Sequence, residues 1–145
     1  MGASFFCMTI EKKSLSQKQF KILRELYKES EKSPHPHKYA ALVLSKNQII
    51  SRGHNDYKSG AFTSGPKTMH AEIAALTNLG YHSKISLKTR RTLKNLVLIV
   101  GRRSTHFKGF EDCKPCRDCQ KKIQKMINSG KISKAMFLSE QHFDF

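Results

Sequence analysis

The chain has 145 residues, which is enough for one domain with a buried core, and we expect a single domain over residues 1–145. Lys and Arg number 27 against 11 Asp and Glu, so the formal net charge is +16 and the surface should attract nucleic acid, nucleotides or an anionic surface. The sequence has no run of about 18 apolar residues, and residues 1–10 lack the basic start and apolar centre of a signal peptide. We therefore expect no membrane-spanning segment and no membrane partner.

The first predicted element is an amphipathic helix. Ser14 or Ser16 can cap it, apolar residues recur along one face, and it runs to about Lys32. The proline-containing segment that follows, S-P-H-P-H, ends the helix. We expect its two histidines, His35 and His37, to lie in an exposed turn and not to bind a metal.

Two strands and a second helix follow. Residues 39–44 and 48–52 are short runs that predict the two strands of a hairpin. Residues 55–68 contain glycine and proline and predict a loop. Residues 70–79 have apolar side chains at helical spacing, and Gly80 should end that helix.

The second half of the chain predicts two more strands and a third helix. Residues 81–94 are polar and basic and predict a loop or a short extra helix. The apolar run at 96–100 is typical of a strand buried on both faces. Residues 104–114 predict a loop, 116–128 a helix closed by a glycine, and 134–138 a last strand. The resulting order, α-β-β-α-β-α-β, predicts a sheet covered by helices.

The spacing of the cysteines indicates a metal site more than a disulfide framework. Apart from Cys7, the cysteines are Cys113, Cys116 and Cys119, which fall within seven residues. Thiols that bind metal need a reducing environment, so we expect an intracellular, cytoplasmic protein. The short basic run at 88–91 leaves a nuclear location open.

Two short motifs carry the chemistry, H-A-E at 70–72 and P-C-R-D-C at 115–119. The imidazole of His70 and the thiolates of Cys116 and Cys119 can hold Zn²⁺ and leave a fourth tetrahedral position for water. Both motifs open predicted helices, and the positive end of a helix dipole stabilises thiolates. Glu72 comes two residues after the histidine, so it can move protons near the metal without being a ligand.

Other interpretations of these motifs stay open at this stage. Cys113 has the right spacing to join His70, Cys116 and Cys119 in a closed, purely structural zinc site. The pattern C-x-x-C-x-x-C resembles part of an iron–sulfur motif, although the sequence has no fourth cysteine nearby. A nucleic-acid-binding module with structural zinc and no turnover is the interpretation from another functional class.

The motifs H-x-E and P-C-x-x-C together resemble the signature of the zinc-dependent cytidine deaminase superfamily. The longer match H-A-E-I-A-A-L is similar to its deoxycytidylate and tRNA-adenosine branches. The resemblance implies a three-layer α/β/α sandwich around a mixed sheet, with the two metal-bearing helices side by side. It also implies that His70, Cys116 and Cys119 bind Zn²⁺, and that Glu72 is catalytic and carries protons between water, the base and the leaving amine.

The same resemblance implies contacts to a substrate. The G-H-N at 53–55 is similar to the G-x-N of the family, so Asn55 would contact a sugar hydroxyl. Backbone N–H groups near Ala71 would hold the carbonyl of the base. Several cations flank the metal motif in the sequence and could bind phosphate: Lys114, Arg117, Arg102 and Arg103.

We therefore expect a zinc-dependent hydrolase that converts cytosine to uracil in a (deoxy)cytidine nucleotide. The alternative substrate is a polynucleotide, tRNA or single-stranded DNA or RNA, edited at cytidine or adenosine, and the net charge of +16 favours it. An inactive subunit of a heterodimer is disfavoured, because Glu72 is intact.

Three features depart from the family pattern. The basic stretch 81–94 lengthens the region between the motifs, and Cys113 is an additional thiol, for which we expect a spectator role. The fold should be shortened at its C-terminus, because only residues 139–145 follow the fourth predicted strand. Residues 3–10 or a partner subunit, as in a homo-oligomer, should then cover a sheet edge that would otherwise promote aggregation.

Overall fold

The computed structural model describes residues 5–8, 17–57, 68–81 and 95–143. Within these residues, a seven-stranded mixed sheet carries helices on both faces and a separate pair of short strands lies beside it. In chain order the elements are β1 (Phe5–Met8), α1 (Gln17–Glu31), β2 (Tyr39–Ser45), β3 (Gln48–His54), β4 (Asp56–Tyr57), β5 (Thr68–Met69), α2 (Ala71–Tyr81), β6 (Val97–Arg103), β7 (Gly109–Glu111), α3 (Arg117–Asn128), β8 (Lys134–Leu138) and β9 (Gln141–His142).

The central strand β2 contributes to two hydrophobic cores. Ala41 and Val43 belong to the core shared with α2 and α3, whereas Ala40, Leu42 and Leu44 belong to the core under α1. The division follows from the geometry of a strand, in which successive side chains point to opposite faces. One layer of helix therefore covers each face of the sheet, and the predicted α/β/α sandwich is confirmed.

Helix α1 forms where the apolar spacing predicts it. Ile22, Leu23 and Leu26 are buried on the side that faces the sheet. After the helix, the N–H of Lys32 donates to the carbonyl of Glu29 at 3.1 Å and closes the last turn. The two prolines that follow cannot continue a helix, because each lacks an N–H donor.

The order of the main strands is β1-β8-β6-β2-β3. Strand β2 pairs antiparallel with β3 and β6, while β8 pairs parallel with β6. In this register Tyr39 lies opposite Arg102, and Ala40 lies opposite His54. The start of β2 therefore meets the ends of β3 and β6 at one edge of the sheet.

The outer edge of β8 is covered by the chain itself. Strand β1 pairs with β8 in parallel, from Phe5 opposite Ala135 to Met8 opposite Leu138. The prediction that residues 3–10 or a partner subunit cover this edge is thereby confirmed for the N-terminal segment. Paired backbone groups of β8 are no longer available as a template for another chain.

Several predicted boundaries are wrong. Helix α2 passes through Gly80 and ends at Tyr81, because a glycine costs a helix only about 1 kcal/mol relative to alanine and packing of α2 on the sheet outweighs that cost. Short strands β4, β5, β7 and β9 replace parts of the predicted loops and of the C-terminal residues. Segments of two or three residues show no readable alternation. The remaining loop residues, 58–67 and 82–94, lie outside the described residues.

Gly53 determines how closely α2 approaches β3. A β-carbon at this position would overlap the backbone nitrogen of Ala75 and lie 2.8 Å from the carbonyl oxygen of Ala71. Only a residue without a side chain leaves room for the first turns of the helix. The contact fixes the start of α2, which carries the first of the two motifs.

We predict that Gly53→Ala destabilises the fold. The added methyl group must push α2 away from β3, and overpacking of this kind lowers the free energy of unfolding by about 1–3 kcal/mol. Denaturant unfolding followed by circular dichroism measures the change. Gln48→Ala is the control, because Gln48 is exposed on the same strand and should change the free energy by less than about 0.5 kcal/mol. Equal effects of the two variants would contradict the packing argument.

Candidate metal centre and pocket

Three side chains with metal-binding atoms meet between α2 and α3. The ligand atoms of His70, Cys116 and Cys119 all lie within 4.8 Å of one another. Nδ1 of His70 is 3.4 Å from Sγ of Cys116 and 3.0 Å from Sγ of Cys119. Metal–ligand bonds of about 2.0–2.3 Å place two ligands of one zinc ion at a similar separation, about 3.5 Å.

Both motifs lie at helix N-termini, as the sequence predicts. Cys116 is the N-cap of α3, and its Sγ accepts a hydrogen bond from the N–H of Cys119 at 3.3 Å. His70 immediately precedes α2, and its carbonyl accepts from the N–H of Ala74 at 2.9 Å. The N–H groups and the positive dipole end of each helix therefore face the cluster and favour thiolates there.

Glu72 lies beside the three possible ligands and is only 6% exposed. Its Oε1 accepts a hydrogen bond from the Cys119 thiol at 3.2 Å and lies 3.7 Å from Nδ1 of His70. Burial raises the pKa of the Glu72 carboxyl, against the smaller lowering effects of Cys119 and His70. A carboxyl with a raised pKa is suited to accept and return protons near neutral pH.

The charges at this point indicate that a cation belongs there. Burial raises the pKa of the Cys119 thiol, and the neighbouring Glu72 carboxylate raises it further. Two anionic groups at this depth are unfavourable without compensation. One imidazole and two thiolates are a donor set that suits zinc, with one coordination position left open. The residues present therefore fit a zinc ion.

Cys113 does not belong to the cluster of ligands. Among the described residues, the cluster consists of His70, Cys116 and Cys119. Cys113 is buried, its N–H donates to the carbonyl of Leu138 at 3.0 Å, and its side chain lines the cavity described next. This position does not support a closed site with three cysteines.

A cavity of about 400 Å³ opens beside the cluster. The three residues predicted to contact substrate, Asn55, Ala71 and Lys114, all line it. Asn55 follows the end of β3, Ala71 begins α2, and Lys114 lies in the loop before α3. The remaining lining residues are His35, His37, Tyr39, His70, Glu72, Arg102, Cys113 and Cys116.

Asn55 is buried and stabilises the part of the cavity wall formed by His37 and Tyr39. Its Oδ1 accepts from the N–H of Tyr39 at 2.8 Å, and its Nδ2 donates to the carbonyl of His37 at 2.6 Å. The side chain thus fixes the turn that precedes β2. Each polar atom retains capacity for one more hydrogen bond, which a sugar hydroxyl could use. The predicted contact of Asn55 with the sugar stays a prediction.

The sequence reasoning did not assign a site role to the turn before β2. His35 and His37 line the cavity, and the rings lie 6.0 Å apart. Nη2 of Arg102 is 3.5 Å from Nδ1 of His37, and its guanidinium lies 5.8 Å from the centre of the Tyr39 ring. No linear motif joins these residues, because only the pairing of β2 with β6 brings them together.

Comparison with known proteins agrees with this geometry. A sequence profile described as the cytidine and deoxycytidylate deaminase zinc-binding region matches residues 13–138. The chain belongs to this family. A search among curated proteins finds no match.

Solved structures of two deaminases resemble the chain. The dCMP deaminase from the cyanophage S-TIM5, in complex with dCMP and dUMP, is 21% identical, with 88% of this chain and 82% of that chain covered and a TM-score of 0.48. The cytidine deaminase from Burkholderia pseudomallei is 16% identical, with coverage of 81% and 79% and a TM-score of 0.46.

The sequence of this family member predicts no membrane-spanning segment. Among the residues that the structure describes, every helix is too short or too polar to cross a bilayer.

We predict that Cys119→Ser lowers the zinc content of the purified protein, whereas Cys113→Ser does not. Serine is a poor ligand for zinc, and of these two cysteines Cys119 belongs to the cluster whereas Cys113 does not. Zinc per chain, measured by atomic emission, tests this, and the melting temperature of each variant with and without a chelator shows whether lost metal destabilises the fold. Equal zinc in both variants would contradict the assignment of the ligands.

Proposed function

We propose that the protein is a zinc-dependent hydrolytic deaminase that converts cytosine to uracil in a (deoxy)cytidine nucleotide. The observation that carries the proposal is the buried Glu72 carboxyl, which lies 3.2 Å from Cys119 and 3.7 Å from His70 and lines the cavity. This arrangement supports the role of a proton carrier between a zinc site and a space for substrate. Membership of the deaminase family supports the same chemistry.

In this proposal, His70, Cys116 and Cys119 hold the zinc ion. Zinc supplies a water that is acidic enough to react near neutral pH. Metal binding itself requires the thiolate form of both cysteines, and the first N–H groups of α3 point towards them.

Glu72 carries the protons of the reaction. Its carboxylate accepts a proton from water and delivers it to the ring nitrogen beside the carbon under attack. Once the water oxygen is bonded to that carbon, Glu72 takes the remaining proton from this oxygen and delivers it to the amine, and the C–N bond breaks as the C=O bond forms. One water is consumed and one ammonia is released, so Glu72 returns to its initial state. Burial favours both steps, because it raises the pKa of Glu72 and so brings its proton affinity closer to working pH.

The remaining walls of the cavity position the nucleoside. The first N–H groups of α2, at and after Ala71, have no partner within the helix and point towards the start of the helix. They can donate to the carbonyl of the base. Asn55 can contact the sugar through its spare hydrogen-bonding capacity, while it holds His37 and Tyr39 in place.

Cations around the cavity favour a phosphorylated substrate. Lys114 and Arg102 line it together with His35 and His37. Arg102 is held by Glu111, with Nε 3.5 Å from the carboxylate, and its guanidinium has further donors available. A 5′-phosphate could bind to the positive charges of Lys114 and Arg102, whereas a free nucleoside has no anionic group to do so.

A polynucleotide is the second candidate substrate. The net charge of +16 and the partly exposed position of the site favour it: Cys116 is exposed, and the His70 side chain is 44% exposed. Its target could be cytidine or adenosine in tRNA or in single-stranded DNA or RNA.

The alternative from another functional class is a nucleic-acid-binding module with structural zinc. Such a module would bind nucleic acid but release no ammonia.

We predict that Glu72→Gln abolishes deamination but leaves zinc bound. Glutamine cannot accept and return protons, and loss of a general acid–base group lowers turnover by at least about 100-fold. Ammonia released from dCMP and CMP measures turnover, and metal analysis measures zinc. Glu140→Gln is the matched control, because Glu140 is exposed and lies outside the cavity. Activity close to that of the parent protein in Glu72→Gln would refute the proposed role.

We predict that Arg102→Gln and Lys114→Gln raise KM for dCMP but not for deoxycytidine. Each variant removes one charge from the cavity wall, and a hydrogen bond to a charged group contributes about 1.5–3 kcal/mol, or about tenfold or more in affinity. Steady-state kinetics with both substrates gives the two KM values. Lys131→Gln is the control, because it removes one charge outside the cavity. A parallel rise for dCMP and deoxycytidine would argue against a phosphate contact.

A further inference from the structure

Helix α3 carries a row of cations on the side that faces away from the protein. Cys119 and Ile123 are buried against the sheet, whereas Arg117, Lys121 and Lys125 are exposed. These three residues follow one another at intervals of four, so they lie along one line on the face opposite Cys119 and Ile123. We call Arg117, Lys121 and Lys125 the α3 row.

The members of the α3 row have no acidic partner within the described residues. No ion pair there involves Arg117, Lys121 or Lys125. Cations near α1 differ in this respect, because Glu25 pairs with both Lys28 and Arg52. The one acidic residue of α3, Asp118, is outnumbered by its four cations, so the exposed side of the helix keeps a net positive charge.

The α3 row begins at the mouth of the cavity. Cys116, which lines the cavity, is the N-cap of α3, and Arg117 is its next residue. Lys114, on the other side of Pro115, also lines the cavity. From Arg117 to Lys125 the helix rises by about 12 Å. Positive charge thus continues from the cavity wall along the outside of the molecule, over about 12 Å.

We propose that the α3 row binds the phosphates of a single-stranded nucleic acid. When a strand lies on this row, one of its bases would lie at the mouth of the cavity. Only the placement of that base rests on the proposed function. The row itself lies outside the cavity and requires no turnover.

Two other polyanions fit the row less well. A cavity of about 400 Å³ accepts one base, and a base in a duplex must first leave the stack at a cost of a few kcal/mol. An anionic membrane would require apolar side chains that enter the lipid. The exposed residues of α3 are all polar, and Gln120 and Asn128 accompany the cations.

The experiment measures binding of the zinc-loaded protein to a labelled oligo(dT) of about a dozen nucleotides by fluorescence anisotropy. Oligo(dT) offers no amine to remove, so binding is read without turnover. The test variant combines Arg117→Gln, Lys121→Gln and Lys125→Gln. Its matched control combines Lys18→Gln, Lys21→Gln and Arg24→Gln, which removes the same charge from exposed positions of α1 on the opposite layer.

We expect the test variant to bind more weakly than the control at low salt, and the difference to shrink as the salt concentration rises. Each phosphate contact contributes about 0.7 to the slope of log affinity against log salt for a single strand, so the loss of three contacts should reduce the slope by about two. Equal weakening in both variants would overturn the proposal, because net charge alone would then explain binding. Binding of a duplex or of phosphatidylserine vesicles that matches oligo(dT) and depends equally on the α3 row would also overturn it.

Two further readouts keep the interpretation clear. Circular dichroism and zinc content show that the test variant is folded, and a milder variant, Lys121→Gln alone, should reduce the slope by about 0.7. Ammonia release from dCMP should be unchanged in a variant that combines only Lys121→Gln and Lys125→Gln, because these two residues lie outside the cavity. If the parent protein releases no ammonia from any substrate but binds oligo(dT) through the α3 row, the proposed deaminase function fails and the α3 row remains supported.

Discussion

Compensation of buried negative charge is the constraint on which the site depends. The Cys119 thiol and the Glu72 carboxyl are both buried and lie 3.2 Å apart. Ionising both is costly in such surroundings, and a helix N-terminus supplies only about half a positive charge. A divalent cation supplies the remainder. Metal binding, the ionisation of the thiols and the proton affinity of Glu72 are therefore one coupled equilibrium, since each determines how favourable the others are.

The sheet brings the parts of the site together from distant points in the sequence. The start of β2 and the ends of β3 and β6 meet at one edge, with Tyr39 opposite Arg102. Gly53 lets α2 approach β3, so that the first motif lies next to Asn55. Strands buried on both faces make this edge rigid, which suits a site whose groups must keep their separations.

Much of the fold and of the metal centre could be predicted from the sequence, because local signals specify them. Periodic apolar residues define α1 and α3, and β8 has the predicted bounds of 134–138. The two motifs are linear patterns, and they identified the clustered residues. The wall formed by His37 and Arg102 has no such pattern, because it depends on which strands pair. The short strand β7 and the passage of α2 through Gly80 depend likewise on packing, which no local preference encodes.

The parallel pairing of β1 with β8 has a consequence for how the protein is made. Phe5 pairs with Ala135, which is 130 positions later in the sequence. Strand β1 is synthesised before β8, so it must wait for about 130 further residues before its partner exists. Contacts of such long range close late and slowly. This part of the sheet can form only after β8 has been synthesised, and until then the backbone groups of β1 lack the partner strand that the folded protein gives them.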